Sequence, residues 1–246
     1  MTSRHVFAIT GKDREHFLQG LVTNDIAKAR GGIAYAALLT PQGKFIADFF
    51  LVGQPDRILL DADATAADAL VQRLSMYRLR ADVQITETDL VVSRGTGPAP
   101  EGALIDPRDP GMGWRAYGAT DLSDATDWDA QRVAHLVPEA GEELTGESYI
   151  LEMGFERLHG VDFRKGCYVG QEVTARMKHK TELRKGLARV RIEGAATPGT
   201  PITAGEKEVG TLHTVSGNRA LAYLRFDRAE GEMTAGGATV TLDQAR

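Results

Sequence analysis

Apolar runs and helical spacings take turns along the first ninety residues. Val6-Phe7-Ala8-Ile9-Thr10 reads as a short strand stopped by Gly11. Asp13 is placed to cap a helix in which Phe17, Leu18, Leu21 and Val22 recur at helical spacing. That helix breaks at Thr23-Asn24-Asp25, which is either a binding lip or a helix-ending turn. Tyr35–Leu39 and Phe45–Val52 are apolar strands joined by the turn residues Thr40-Pro41-Gln42-Gly43, the pattern of a hairpin. Asp48 interrupts the second strand. It is a site candidate if it faces a cavity, and ordinary alternation if it faces water. Arg57–Asp61 gives a third strand. A helix opened by Thr65, with Asp68 in capping-box position, then buries Leu70, Leu74 and Tyr77. Val83 and Ile85 alternate in the next strand. Strands interleaved with helices in this order predict an α+β sheet with helices on one face.

A second set of elements starts with the strand Leu90–Arg94. Residues 95–113 are rich in glycine and proline and read as loop, Trp114–Tyr117 as strand, and Asp127 as the cap of a helix carrying Trp128, Arg132, Val133 and Leu136. Trp128 is either a core anchor or a flat platform for an aromatic ligand. Glu142–Glu147 reads as a solvated acidic stretch. From Lys185 onward, short alternating strands punctuated by Gly199, Gly205, Gly210, Gly217 and Gly236 give the texture of a small barrel. The expected division is 1–182, split near 90, and 183–246.

The chain has 246 residues, a net charge of −5 and a single cysteine. It carries no overall basic footprint for stable nucleic-acid binding and no apolar run long enough to span a membrane. One cysteine excludes an internal disulfide, and the N-terminus has no signal-peptide core, so the chain is expected to be cytoplasmic. The cysteine lies in Arg164-Lys165-Gly166-Cys167-Tyr168-Val169-Gly170-Gln171-Glu172, with two cations before the sulfur, glycines on both sides and good helix formers after it. A thiol beside cations and a helix start favours its anion, whereas a lone cysteine is also a common small core residue. Beyond Arg176 the chain is basic through Lys178, His179, Lys180, Arg184 and Lys185, as a linker between domains or an anion-attracting stretch.

Lys165-Gly166-Cys167-Tyr168-Val169-Gly170-Gln171-Glu172 resembles the signature K-G-C-[FY]-x-G-Q-E of the YgfZ family of folate-binding proteins, whose mitochondrial relatives are called IBA57. Phe17–Asp25 is similar to that family's F-L-Q-G-x-x-T-N-D run, and Thr40–Lys44 to its glycine–lysine hairpin. The resemblance implies an aminomethyltransferase-like ring of subdomains around a central hole, followed by a small β-barrel. It implies tetrahydrofolate in the hole and a role in assembling or repairing iron–sulfur proteins, including enzymes that modify tRNA. Partners would be folate and iron–sulfur proteins or their assembly factors.

On that analogy Trp128 stacks on the pterin, Asn24 and Asp25 border the site, and Arg176, Lys178 and Lys180 meet the glutamate tail. Glu172 orients Lys165 or accepts a pterin N–H. Cys167 and Lys165 are the reactive pair. If the chain is instead a one-carbon transferase, Asp48 or Asp25 assists attack on a folate methylene. One departure weighs against transfer: where related proteins have a pterin-holding glutamate, this chain has Ala134, and Glu139 lies several residues further on. With one cysteine and scattered histidines, no stably bound metal is expected.

Overall fold

The computed structural model describes residues 3–179, 183–229 and 231–245. The N-terminal part is built on a five-stranded antiparallel sheet of β1 (Arg4–Thr10), β2 (Ile33–Leu39), β3 (Phe45–Gly53), β4 (Ile58–Asp63) and β5 (Gln84–Glu87), in the order β2-β3-β4-β1-β5. The hairpin expected at Thr40–Gly43 joins β2 to β3. Helices α1 (Arg14–Gln19) and α2 (Ala64–Arg78) cover one face. Period-two alternation sends Ala36, Leu38, Phe49 and Leu51 to the helical side, while Tyr35, Ala37, Leu39 and Phe50 point the other way. Asp48 lies on the second face, buried, with the Tyr35 hydroxyl donating to it. Both faces are therefore buried, and a carboxylate on β3 could not have pointed to water.

Two caps differ from expectation. Asp63 caps α2 by accepting from the Thr65 N–H, because the helix starts a residue before Thr65 and leaves no place for a Thr65–Asp68 box. Asp13 precedes α1, but its carboxylate accepts from the Asp82 N–H instead of a helical one.

A three-stranded sheet follows, formed by β6 (Val91–Gly95), β7 (Leu104–Ile105) and β8 (Trp114–Gly118) in the order β6-β8-β7. β7 lies inside the stretch expected to be all loop, where a two-residue strand leaves no periodic signal. Helix α3 (Trp128–His135) is capped by Asp127 as expected. Residues 136–170 then cross the second face of the large sheet without regular structure, burying Val137, Ile150, Met153, Phe155, Leu158 and Tyr168. Helix α4 (Gln171–His179) ends this part.

The last strands are β9 (Lys185–Glu193), β10 (Pro201–Ala204), β11 (Lys207–Ser216), β12 (Arg219–Arg225), β13 (Met233–Ala235) and β14 (Ala238–Ala245). They close a six-stranded barrel in the order β10-β11-β12-β9-β14-β13. The barrel packs on α3 through a buried ion pair. Arg132 Nη1 lies 2.7 Å from Glu143 Oε2, and the Thr214 hydroxyl on β11 donates to the other oxygen of Glu143 at 2.5 Å. Glu143 is thus buried, against its expected place in a solvated acidic stretch, because a guanidinium and a hydroxyl take the place of water.

Candidate functional site

Three segments singled out by the sequence meet at one place. Cys167 is exposed, on a loop that leads into α4. The side chains beneath it are not exposed. Lys165 is buried and donates from Nζ to the carbonyls of Gln19 at 2.7 Å and Val22 at 2.5 Å, just past the end of α1. Cations suit that end of a helix. Burial pulls the Lys165 ammonium down to about 8, with Asp25 and Asp162 opposing.

The neighbouring ties run the same way. The Thr23 hydroxyl donates to Gly160 O at 2.6 Å, and Asn24 Nδ2 donates to Tyr35 O at 2.7 Å and His159 O at 2.6 Å. Asp162 N donates to Thr23 O at 3.0 Å, and Lys28 pairs with Asp162 at 2.7 Å. The hairpin closes the third side. Gly170 has φ of +83°, and a Cβ there would sit 2.6 Å from Thr40 O; one on Gly43 would sit 2.9 Å from Val173 Cβ. The cysteine loop is thus seated on residues 19–28 and 39–43.

This seating changes several assignments. Asn24 is buried and its amide is committed to two carbonyls, so it holds the loop and has no free donor for a ligand. Asp25 accepts from Ala27 N at 3.0 Å and caps a short 3-10 turn. Glu172 is exposed on α4, and the ammonium of Lys165 is turned to carbonyls instead of to it. Of the two cations before the sulfur, only Arg164 reaches solvent. Tyr168 is a core anchor, and Gly166 has open space around it. Gln171 opens α4, and Arg176 stands exposed on it. Lys178 pairs with Glu156, and Lys180 lies outside the described residues. Among the described residues, no group of three His, Cys, Asp or Glu side chains is placed to hold a metal ion.

Trp128 belongs to a different place. It lines a cleft of about 450 Å³ between α3 and the barrel, with Arg94, Arg132, Glu139, Thr214 and Val215. Neither the cysteine motif nor α4 contributes to that lining. Trp128 is 8% exposed, and one face of its ring is covered by the Arg94 guanidinium at 4.3 Å. Its indole N–H is buried without an acceptor. Ala134 is exposed and does not line the cleft, whereas Glu139 does.

Behind the cleft lies a smaller cavity that shares Arg94, Arg132 and Glu139 with it and is lined also by Asp48, Arg108 and Arg115. Arg115 Nη2 is 2.6 Å from Asp61 Oδ2, Arg4 Nε is 2.7 Å from Asp61 Oδ1, and Arg108 holds Asp106 at 2.8 Å. Burial alone would raise the Asp61 carboxyl, but Arg115 and Arg4 outweigh it and hold it at about 2. Asp48 has the opposite fate: burial raises it against the pull of Arg4 and Tyr35. Arg94, Arg108 and Arg115 were missed from sequence. The only local signal was the pairing of Asp106-Pro107-Arg108 with Gly113-Trp114-Arg115 across one glycine-rich loop.

Residues 184–245 match the family model described as the CAF17 C-terminal beta-barrel domain. The human protein named iron-sulfur cluster assembly factor IBA57, mitochondrial, is 30% identical over 95% of this chain and 78% of its own length. The mouse protein of the same name matches to the same extent. An IBA57 homolog of Mycosarcoma maydis is 33% identical over 79% of this chain, which spans only 57% of that relative's length. Among solved structures, the glycine cleavage system aminomethyltransferase T from Bartonella henselae superposes with a TM-score of 0.76. It does so at 14% identity, over 99% of this chain and 83% of that one, so the fold is aminomethyltransferase-like. All three of these relatives are named as mitochondrial, which overturns the cytoplasmic expectation drawn from a plain N-terminus.

Proposed function

The chain belongs to the IBA57 family of iron–sulfur cluster assembly factors, and from that premise we propose that it serves cluster assembly by presenting Cys167 to a cluster in transit. The observation that carries this is the contrast at the loop: the thiol is exposed, while Lys165, Thr23 and Asn24 beneath it are buried and bonded. A lone cysteine held in place from below can offer one thiolate to a cluster whose other ligands come from a partner. The cluster is then cargo, and the partner is an iron–sulfur protein or assembly factor. Enzymes that modify tRNA are among the proposed clients.

Folate is proposed as a second ligand, in the cleft at Trp128. The fit rests on a cleft of about 450 Å³, an aromatic wall and a buried guanidinium with no hydrogen-bond partner among the described residues. One-carbon transfer is the weaker reading. Asp25 is spent on a turn, and Asp48 lies in the rear cavity.

The test has two arms. Cys167→Ala is expected to keep the native melting temperature and to lose the ability to restore iron–sulfur enzyme activity in cells lacking the protein. Full restoration by the variant sinks the thiol reading. Tetrahydrofolate is expected to quench tryptophan fluorescence, and Trp128→Phe to weaken its binding. An absence of quenching at millimolar ligand removes folate from the proposal.

A further inference from the structure

The C-terminal end of α2 presents two large apolar side chains to solvent. Leu79, the residue that ends the helix, is 88% exposed, and Met76, three residues before it, is 63% exposed. A single exposed apolar side chain is ordinary on a protein surface. Leu79 is unusual in its backbone as well. It has φ of +42° and ψ of −107°, close to the conformation that glycine takes in a type II′ turn and that a leucine adopts only under strain. The chain keeps a bulky apolar residue where glycine would relieve that strain, and the side chain gains almost no packing in return.

The charge around the pair is all of one sign. Residues 69–81 contain no aspartate or glutamate but hold Arg73, Arg78 and Arg80. Arg78 and Arg80 are exposed on either side of Leu79, and Arg73 lies three residues before Met76, the spacing of neighbours on one helix face. Among the described residues, none of these three guanidiniums makes a hydrogen bond or ion pair. The next acid along the chain, Asp82, lies 4.0 Å from the Lys12 ammonium. In a chain of net charge −5 this is a local concentration of positive charge. The opposite face of α2 stays in the core through Leu70 and Leu74, so the helix is anchored and only its tip is offered.

An apolar tip ringed by arginines fits a lipid surface better than a protein. A stable protein interface needs about 800 Å² from each partner, with an apolar centre much larger than two side chains. A membrane surface needs only a protruding tip that reaches the acyl boundary, with cations at the level of the headgroups. We propose that the end of α2 is a peripheral membrane-docking tip, in which Met76 and Leu79 enter the acyl boundary and Arg73, Arg78 and Arg80 meet anionic lipid headgroups. The negative charge carried by the rest of the chain is repelled by the same surface, which orients the docking. This tip depends on neither the thiol nor the folate reading.

The experiment is sedimentation of the full chain with vesicles of phosphatidylcholine, alone or with about one-third phosphatidylglycerol. The anionic vesicles are expected to bind the chain and the neutral ones not, with binding lost at high salt. Replacing Arg73, Arg78 and Arg80 together by glutamine is expected to lower the partition coefficient about 100-fold, at about fivefold for each arginine. Leu79→Gly is expected to lower it about tenfold while keeping or raising the melting temperature, because glycine suits that backbone. Equal binding to neutral vesicles, or binding that survives either variant, overturns the proposal. So does an absence of binding to anionic vesicles at millimolar lipid; Leu79-dependent binding of soluble polyglutamate in its place would make the occupant an acidic protein.

Discussion

Replacing Lys165 with methionine tests whether the cysteine loop is held from beneath. The change keeps chain length and apolar stem but leaves the carbonyls of Gln19 and Val22 without the ammonium that now reaches both. A buried carbonyl left without its donor costs about 1–3 kcal/mol, so two cost about 4 kcal/mol together. A gain offsets part of this. Burial holds the Lys165 ammonium at about 8, against an ordinary lysine near about 10.4, which disfavours the charged folded state by about 3 kcal/mol. Partial access of water reduces that to about 1–2 kcal/mol. The net loss is about 2–3 kcal/mol, or about 5–10 °C in Tm at this chain length.

The pH dependence supplies an independent check. The folded chain binds the Lys165 proton less tightly than the unfolded chain, so native stability rises as pH climbs from about 8 to about 10.4. The methionine variant lacks that rise. Calorimetry across this range, with hydrogen exchange on residues 19–23 and 163–168, reads both effects. Exchange is expected to accelerate in the two segments together. An unchanged Tm with native exchange in residues 19–23 would refute the claim that Lys165 clamps the loop.

Three further outcomes are expected. Gly170→Ala places a side chain at φ of +83° and 2.6 Å from Thr40 O, and should cost about 3 kcal/mol in urea unfolding; a cost below about 1 kcal/mol contradicts the seating of the loop on the hairpin. Glu143→Ala removes the shortest of the carboxylate contacts of the buried Arg132 guanidinium and leaves Asp129 and Glu139 beside it, and should cost about 1.5–3 kcal/mol and raise protease sensitivity at residues 132–143; near-native stability would mean the pair does not hold the barrel. Asp61, held at about 2, contributes about 2 kcal/mol that is present above pH 4 and lost as pH falls toward 2, so Asp61→Asn should flatten that part of the acid unfolding curve.

What was legible in the sequence was local. The hairpin at Thr40–Gly43, the strands around it, the Asp127 cap and the closely spaced barrel strands each rest on residues a few positions apart. What was not legible depends on partners distant in the chain. Glu143 looked like one acid in an acidic stretch because Arg132 and Thr214 come from a helix and a barrel strand. Asn24 and Asp25 looked like ligand contacts because nothing local shows that Asn24 spans to His159. Whether Asp48 faces a cavity or water stayed open in the sequence, and only the burial of both sheet faces decides the matter.

The resemblance gathers its motifs and Trp128 around one folate hole, whereas the structure separates the motifs from the cleft at Trp128. The F-L-Q-G-L-V-T-N-D run, the glycine hairpin and the cysteine signature converge, but on the cysteine loop and not on the cleft at Trp128. The two places have different physical needs. An exposed thiol that meets a bulky, partner-borne cargo must stand at the surface on a rigid base, and the buried Lys165, Thr23 and Asn24 supply that base. A small aromatic ligand needs walls and paired polar groups, and the cleft supplies Trp128, Arg94 and Glu139 from segments the motifs do not include. A change in the cleft should therefore alter ligand binding while leaving the reactivity of Cys167 toward a small alkylating reagent unchanged. If Arg94→Met shifts the alkylation rate of Cys167 by more than about threefold, well beyond the small couplings expected of separate sites, the two places are one functional unit.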